Sequence, residues 1–400
     1  MGRAVARLAA PARTQCPIES TAAPVRIAID ARKLHDYGIG TYVRNLTHWL
    51  ARIDCDDTYV LLCRPEDVAF VRSLGPRFEP LIEMAGNYTI REQFAVPLAL
   101  ARARPKVDVF HAPHYVVSPL VTCPYVVTIH DCIHLRFPQY LPKKGAFLYA
   151  RTMMTLAARR SRRVLTVSNA SKEDILHYLK VPASKVEVIY NALDERLATP
   201  PTPEDIARVR QRFQLEAPFV LYTGNIKPHK NIDRLIEAYS ILRRRGVENV
   251  KLLIIGDEIS KYPNLRRLVH KFQLHQHVRF FGFVPDATLA VFYRLASAFV
   301  FPSLYEGFGL PTLEAMAAGV PVITSNVSSL PEVVGEAALL IDPMDAGALA
   351  DAMARVLSDA PLRADLIRRG HERIKTFSWE RSVARVHQVY REVGGQPHHG

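Results

Sequence analysis

The stretch FPSLYEGFGLPTLEAMAAGVPVITS, residues 301–325, decides how this chain is read. An apolar run closing near Pro302 is followed by a loop, SLYEGFG, and then by a segment from Leu310 to Ala318 that can sustain a helix, with Pro311 tolerated in its first turn. A second β-branched run, VPVIT, begins at Val320. Strand, loop, helix and strand in that order form the repeating unit of a parallel α/β sheet. The same stretch carries two carboxylates, Glu306 and Glu314. Gly307 and Gly309 let the backbone approach a ligand closely, and the helix N-terminus behind them offers free N–H groups to a phosphate or a sugar hydroxyl. Glu306 then sits at the mouth of the turn and Glu314 about two turns deeper. Carboxylates only accept hydrogen bonds, so the pair suits vicinal hydroxyls on a sugar and on a ribose. The plainer reading, an acidic pair on a solvated helix end, is opposed by the flanking glycines and the apolar helix.

Working outward, the same alternation fills the chain. Upstream lie FVLYT from Phe219, VKLLII from Val250, VRFFG from Val278 and AFVF from Ala298, and downstream lies ALLI from Ala338. An earlier set comprises VRIAI from Val25, TYVLL from Thr58, VDVFH from Val107, YVVTI from Tyr125, RVLTV from Arg163 and VEVI from Val186. These are buried-strand runs separated by helix-period segments. Between the sets, DERLATPPTP packs three prolines into four residues and marks a linker. The reading is α/β, with a disordered extension over residues 1–24, one Rossmann-like domain over 25–195, a second over 196–375, and a final amphipathic helix over 376–395. Ser378 is that helix's N-cap candidate and Trp379 its packing anchor. Two doubly wound domains in tandem create a cleft, and ligands bind outside the carboxyl ends of such sheets. Neither a solenoid repeat nor an internal low-complexity segment interrupts the pattern.

Four hundred residues are enough for two such cores, and 48% hydrophobic with 23% charged residues is a globular balance. The net charge of +13 attracts anions, whether nucleotide phosphates, nucleic acid or an anionic membrane face, or simply keeps the surface solvated. No nucleic-acid-binding motif is present, so nucleic acid is not expected as a partner. The five cysteines are odd in number and form no C-x-x-C pair, which points to a reducing compartment. No run approaches the roughly 18 apolar residues of a membrane span, and the leading Ala-, Arg- and Pro-rich segment lacks a secretory apolar core, although it shares features with transit peptides. A cytoplasmic location follows. Residues 141–163, LPKKGAFLYARTMMTLAARRSRR, mix basic and apolar positions at roughly helical spacing; they suit peripheral contact with an anionic membrane, or a basic solvated helix packed on its own domain.

Other segments carry chemistry of lower specificity. YTGNIKPHKN places Gly224, Asn225 and Lys230 after a strand, where a lone lysine is most often a solvated surface residue. YGIGTYVRNL places Gly38 and Gly40 at the head of a helix, either as an ordinary turn or as a source of backbone donors near phosphates. In VVTIHDCIHL, His130, Asp131 and His134 follow a strand and face the expected cleft; His111 and His114 stand in HAPHY. Histidines raise the question of a metal, but the acidic partners at helical spacing are missing, so no metal is expected.

The arrangement E-G-F-G-L-P-x-L-E-A-M-A-A-G-x-P-V-I resembles that of the family 4 glycosyltransferases, retaining enzymes of the two-domain GT-B type, and the resemblance runs in order from Val25 to about Val393. It implies an acceptor-binding N-terminal domain, a C-terminal domain for a nucleotide sugar, and a last helix that crosses back to the first domain. It places Glu306 on the donor sugar, Glu314 on the nucleotide ribose, and the backbone at Gly307, Phe308, Gly309 and Leu310 at the sugar-phosphate end. Lys230 takes the position of the pyrophosphate lysine, His130 that of a histidine contacting the donor sugar, and Gly38 and Gly40 that of the glycine loop. Gly224 and Gly256 fall within donor-binding strand ends, and Phe283 in the stretch that meets the base. His111, His114, Asp131 and His134 are acceptor-side candidates. Asn225 departs from the pattern, because many relatives have arginine there, and a neutral amide brings no charge to the phosphates. The implied reaction moves a hexose to a glycan or lipid-linked acceptor without a separate cofactor. GDP-mannose is the first donor expected and a UDP-sugar the second. Two rivals remain: a catalytically silent GT-B subunit supporting a partner enzyme, and a GT-B epimerase or phosphorylase. Glycoside hydrolysis is disfavoured, since both carboxylates lie on one loop and helix rather than flanking a glycosidic bond.

Overall fold

The computed structural model describes residues 23–54, 56–141 and 144–395. All but the last two residues of the expected extension, and Pro142 and Lys143 of the basic segment, lie outside the described residues. The first sheet contains β1 (Arg26–Asp30), β2 (Thr58–Cys63), β3 (Phe78–Ile82), β4 (Val109–Ala112), β5 (Tyr125–Thr128), β6 (Arg163–Thr166) and β7 (Val186–Val188). Its order is β3-β2-β1-β4-β5-β6-β7. The second contains β8 (Phe219–Thr223), β9 (Lys251–Ile255), β10 (Val278–Phe281), β11 (Ala298–Phe301), β12 (Val322–Ser325) and β13 (Ala338–Ile341), in the order β10-β9-β8-β11-β12-β13. Every neighbouring pair is parallel.

Central strands such as β4, β8 and β11 are buried along their whole length, as sheets covered by helices on both faces require. β3 escaped the sequence reading for a physical reason. It is an edge strand with Glu79 and Pro80 inside it and a half-exposed pattern, so it never forms an apolar run. The proline-rich linker is also more ordered than composition implies. A short helix, Glu195–Ala198, precedes the prolines, and Pro203 opens the helix Pro203–Phe213 at its first turn, behind a Thr202–Asp205 capping box.

The last helix, Trp379–Gly394, starts at Ser378, whose side chain accepts from the Arg381 N–H. It packs on the helix Ile39–Ile53 and on β1, β4 and β5. Trp379, Val383, Val386, Val389, Tyr390 and Val393 thereby join the core of the first domain. Ion pairs fix its far end: His387 lies 2.7 Å from Asp57 Oδ2, and Arg391 donates to both Asp57 oxygens. The last described helix thus packs on the first domain.

In each sheet the direction of winding reverses once. The reversal falls between β1 and β4 in the first sheet and between β8 and β11 in the second. Loops leaving those strand ends diverge to opposite faces and open a crevice. The segments after β8 and β11 are the two that hold Lys230 and Glu306.

Candidate active site

The loop after β8 turns at Gly224, whose φ of 138° favours glycine and whose N–H donates to the Ile255 carbonyl. Gly256, after β9, lies so near that a Cβ there would stand 1.9 Å from the Gly224 carbonyl oxygen. Strand-end packing by itself therefore requires glycine there. Asn225 Oδ1 is buried with no hydrogen-bond partner among the described residues. Beyond it, Asn231 adopts a left-handed conformation and donates to the Pro302 and Pro343 carbonyls, while the Leu304 N–H donates to the His229 carbonyl. These bonds clamp the β8 loop against the β11 loop. Sequence reading missed Asn231, whose position ahead of a helix suggests a cap but whose side chain instead bonds to distant carbonyls.

That clamp brings Lys230 Nζ within 2.6 Å of Glu306 Oε1, both side chains about seven-eighths buried. Glu306 is held from its backbone: Ser328 Oγ and Ser329 Oγ both donate to its carbonyl. Gly309, with φ 105°, ends the loop and caps the helix Leu310–Ala317. Leu310 is the first residue of that helix, and the buried Phe308 ring packs against Tyr190 and Phe377.

Glu314 lies on the same helix and accepts from Tyr293 Oη at 2.8 Å; Tyr293 is in turn bonded to Thr223 at 2.6 Å. Tyr293 is fully buried and also orients the second carboxylate. Burial pushes the Glu314 carboxyl up to about 7, with Asp194 and Asp286 adding to the rise against the Tyr293 hydrogen bond and Arg196.

The first domain meets this loop directly. Gly307 packs so close to the His130 carbonyl that a Cβ would lie 2.5 Å from that oxygen, and its own carbonyl accepts from Ser168 Oγ and Ser171 Oγ. Tyr305 accepts from the Cys132 N–H and donates to Asp174. Glu306 is thus flanked by two residues that both touch the segment 130–132. The missing side chain of Gly307 thus makes room for the other domain. Glu332 completes the contact by accepting from the Asn169 and Ala170 N–H groups at the N-terminus of the helix Asn169–Leu179, and from Tyr190 Oη.

His130 Nε2 lies 3.0 Å from the Pro113 carbonyl, which can only accept, so Nε2 carries the proton and Nδ1 is an acceptor. Burial lowers its pKa, keeping it neutral. Asp131 caps the turn at Ile133, and His134, its pKa also lowered by burial, stands edge-on to Tyr115 and under the influence of Lys227 from the other domain.

Two expected acceptor-side residues lie elsewhere. His111 is wholly buried on β4, bonded to Tyr390 Oη of the last helix and to Thr128 Oγ1, and burial pushes its pKa down to about 3. His114 is buried beside Asp30, which with Glu92 is held by Arg32. Both serve the interior of the first domain. Gly40 is corrected too: its N–H is used by the Asp36 carbonyl, and a Cβ would stand 2.4 Å from the Leu34 carbonyl oxygen. Gly38, at φ 63°, precedes the helix in open space, and Phe283 is strongly exposed just beyond β10.

Two carboxylate–histidine clusters have metal-like spacing among the described residues, Asp30–Glu92–His114 and Asp54–Asp57–His387. Arginine already occupies each: Arg32 bridges Asp30 and Glu92, while Arg391 pairs with Asp57 and Arg77 with Asp54. Neither cluster includes a member of the crevice set.

Comparison with known proteins adds three findings. The Glycosyltransferase Family 4 profile matches residues 37–197, and the profile of Glycosyl transferases group 1 matches residues 203–373. The O-antigen chain mannosyltransferase B of Escherichia coli is 34% identical over 284 residues, 71% of this chain and 74% of that protein. The serotype-specific mannosyltransferase WbdA of the same species is 28% identical over 82% of this chain, which spans only 41% of that longer protein. Among solved structures, HepE of Anabaena in complex with UDP-glucose superposes with a TM-score of 0.73 at 19% identity, covering 91% of this chain and 99% of that one.

Proposed function

From the premise that the chain belongs to the family 4 glycosyltransferases and is a GT-B glycosyltransferase, we propose that it transfers mannose from GDP-mannose, with retention, to a hydroxyl of a glycan or lipid-linked acceptor in surface-polysaccharide synthesis. The observation that carries this reading is the convergence of Lys230, Glu306 and Glu314 at the carboxyl ends of β8 and β11, against the His130 segment of the other domain. Mannosyl transfer is supported by what the two Escherichia coli relatives are named for.

In the proposed reaction the bond from the anomeric carbon to the diphosphate breaks while a bond to the acceptor oxygen forms on the same face. The acceptor proton passes to the departing diphosphate oxygen. Lys230 neutralises charge growing on that diphosphate, together with backbone amides at Gly309 and Leu310, so no metal or further cofactor has a part in the step. Glu306 accepts from hydroxyls of the donor sugar, His130 Nδ1 from another, and Glu314 from the ribose. A UDP-sugar is the second reading, favoured by the ligand of HepE.

Thermal unfolding in the presence of GDP, UDP, dTDP, ADP and their sugars separates the donors, because a ligand bound only by the native state raises its apparent stability. Stabilisation selective for GDP and GDP-mannose, with GDP released on turnover, is expected. Stabilisation by UDP alone transfers the proposal to the second donor, and none by any nucleotide overturns it. Peripheral membrane contact, expected of the basic segment, is a proposal separate from the transfer reaction; no helix among the described residues is long and apolar enough to cross a membrane.

A further inference from the structure

The helix Ile90–Arg102 is built to be two-sided. Val96 and Leu100 face inward, in one core with Met154, Ala157 and Ala158 of the helix Lys144–Arg160. Its outer side, which ordinarily carries polar residues, instead presents Ile90, Phe94 and Leu98 at four-residue spacing, 83%, 62% and 48% exposed. The ridge does not stand alone. Met84 and Tyr88, from the segment that enters the helix, are half exposed. Leu120 is exposed in a loop tied to the helix by the bond from Ser118 Oγ to the Gln93 carbonyl. Leu148 and Tyr149 are the exposed apolar residues of the neighbouring helix, and Tyr149 lies within electrostatic reach of Tyr88 and Glu92. Large apolar side chains gathered on one exposed face mark an interaction surface.

Charge identifies the partner. The one carboxylate of the Ile90–Arg102 helix, Glu92, is buried and bonded to Arg32 and to the Tyr88 N–H. No Asp or Glu occurs between Glu92 and Asp108, or between Asp131 and Glu173. The exposed charges of the two helices and the turn after the first, among the described side chains, are all basic: Arg91, Arg102, Arg104, Lys106, Arg151, Arg159 and Arg160. Apolar ridge and cationic border together match an anionic lipid surface. A second copy of the chain is a poor match, since a two-fold contact through this face would set arginines against arginines. The basic segment 141–163 adds Leu148 and Tyr149 to the apolar side but no ridge of its own, because Ala150, Met153, Met154, Ala157 and Ala158 of its helix are buried in the domain.

We propose that this face docks on an anionic bilayer, with Ile90, Phe94 and Leu98 entering the acyl boundary and the arginines among the headgroups. Location gives the contact a purpose. The Ile90–Arg102 helix starts just after the carboxyl end of β3, and the Lys144–Arg160 helix follows that of β5, so both begin on the side where the crevice opens. A bilayer held there presents lipid-linked hydroxyls at the rim of the acceptor domain. Only that purpose rests on the proposed function; the docking itself does not.

Flotation of the full chain with vesicles tests the proposal. The wild type is expected to float with phosphatidylcholine vesicles containing phosphatidylglycerol and far less with phosphatidylcholine alone. The triple variant Ile90→Ser/Phe94→Ser/Leu98→Ser should partition about tenfold or more weakly, and Arg91→Glu/Arg151→Glu should lose the preference for anionic lipid. These side chains are exposed, so thermal unfolding and nucleotide stabilisation should match the wild type. A wild type that stays at the bottom with every vesicle overturns the proposal, as does a triple variant that floats undiminished. So does a wild type that is dimeric by light scattering and binds no lipid, while the triple variant is monomeric. Absence of nucleotide stabilisation with flotation intact would sink the glycosyltransfer reading alone.

Discussion

Lys230 and Glu306 hold each other at 2.6 Å, so a diphosphate entering the crevice competes with a carboxylate for one ammonium ion. Replacing the lysine removes the cation and leaves a largely buried carboxylate without its partner. Lys230→Ala is expected to lower kcat by about 10²–10³, as loss of one charge-stabilising donor does elsewhere, measured by release of nucleoside diphosphate. Glu314 makes a different prediction. Its folded pKa, raised by burial to about 7 from the ordinary 4.5, means that the fold prefers the protonated form. Its contribution to stability is fully present below 4.5 and is lost as pH rises through 7. Glu314→Gln should therefore gain stability relative to the wild type between those values in a series of melts. Ribose hydroxyls need the ionised acceptor, so nucleotide affinity of the wild type should weaken as pH falls below 7, whereas the already weak affinity of Glu314→Gln should lose that dependence. Calorimetric titration at several pH values checks both.

At the scale of elements, the two loops at the crevice were legible because they follow strands and carry glycines, lysine and glutamates in a recognisable order. The reasons for the glycines were not. Sequence shows that a side chain is absent but not what fills its place, and at Gly256 and Gly307 the occupant is a carbonyl oxygen of another segment. Gly256→Ala is expected to destabilise the second domain by about 1–3 kcal/mol, since the neighbouring atom is backbone and cannot swing away. The denaturant midpoint reads this. Gly38→Ala, with open space around it, is strained only by its φ of 63° and should cost less. His111 was misplaced for a related reason: a histidine in HAPHY reads as an acceptor-side candidate until the tyrosine 279 positions later is found against it.

At the scale of the molecule, closure rests on few contacts. Glu332 from the second domain accepts from the N-terminus of the helix Asn169–Leu179 and from Tyr190, while Tyr305 and Gly307 dock against the 130–132 segment. A hinge between two such domains absorbs their motion, and these bonds bias it toward the closed form. Glu332→Gln keeps the shape but gives up the charge at the helix N-terminus. The domains should open more often, seen as a larger radius of gyration by small-angle scattering, with donor nucleotide restoring the compact form. A radius unchanged from the wild type would remove Glu332 from that role.

Hydrophobic periodicity determined the α/β class, all but one of the strands and the expectation of a crevice, because parallel strands buried on both faces leave an unbroken apolar signature in the chain. The edge strand β3, half exposed and interrupted by Pro80, left none. The two glutamates stood out from their glycine-flanked loop and helix, while Lys230 and His130 were selected by the resemblance to the family. What the tertiary structure decided is everything set by residues far apart in sequence: the clamp through Asn231, the support of Glu314 by Tyr293, the burial of His111 and His114, and the close passage of Gly307 by His130. A sequence records which side chains are available, but the identity of a neighbour, and hence whether a polar group is satisfied inside the fold or left facing a ligand, exists only once the chain has closed on itself.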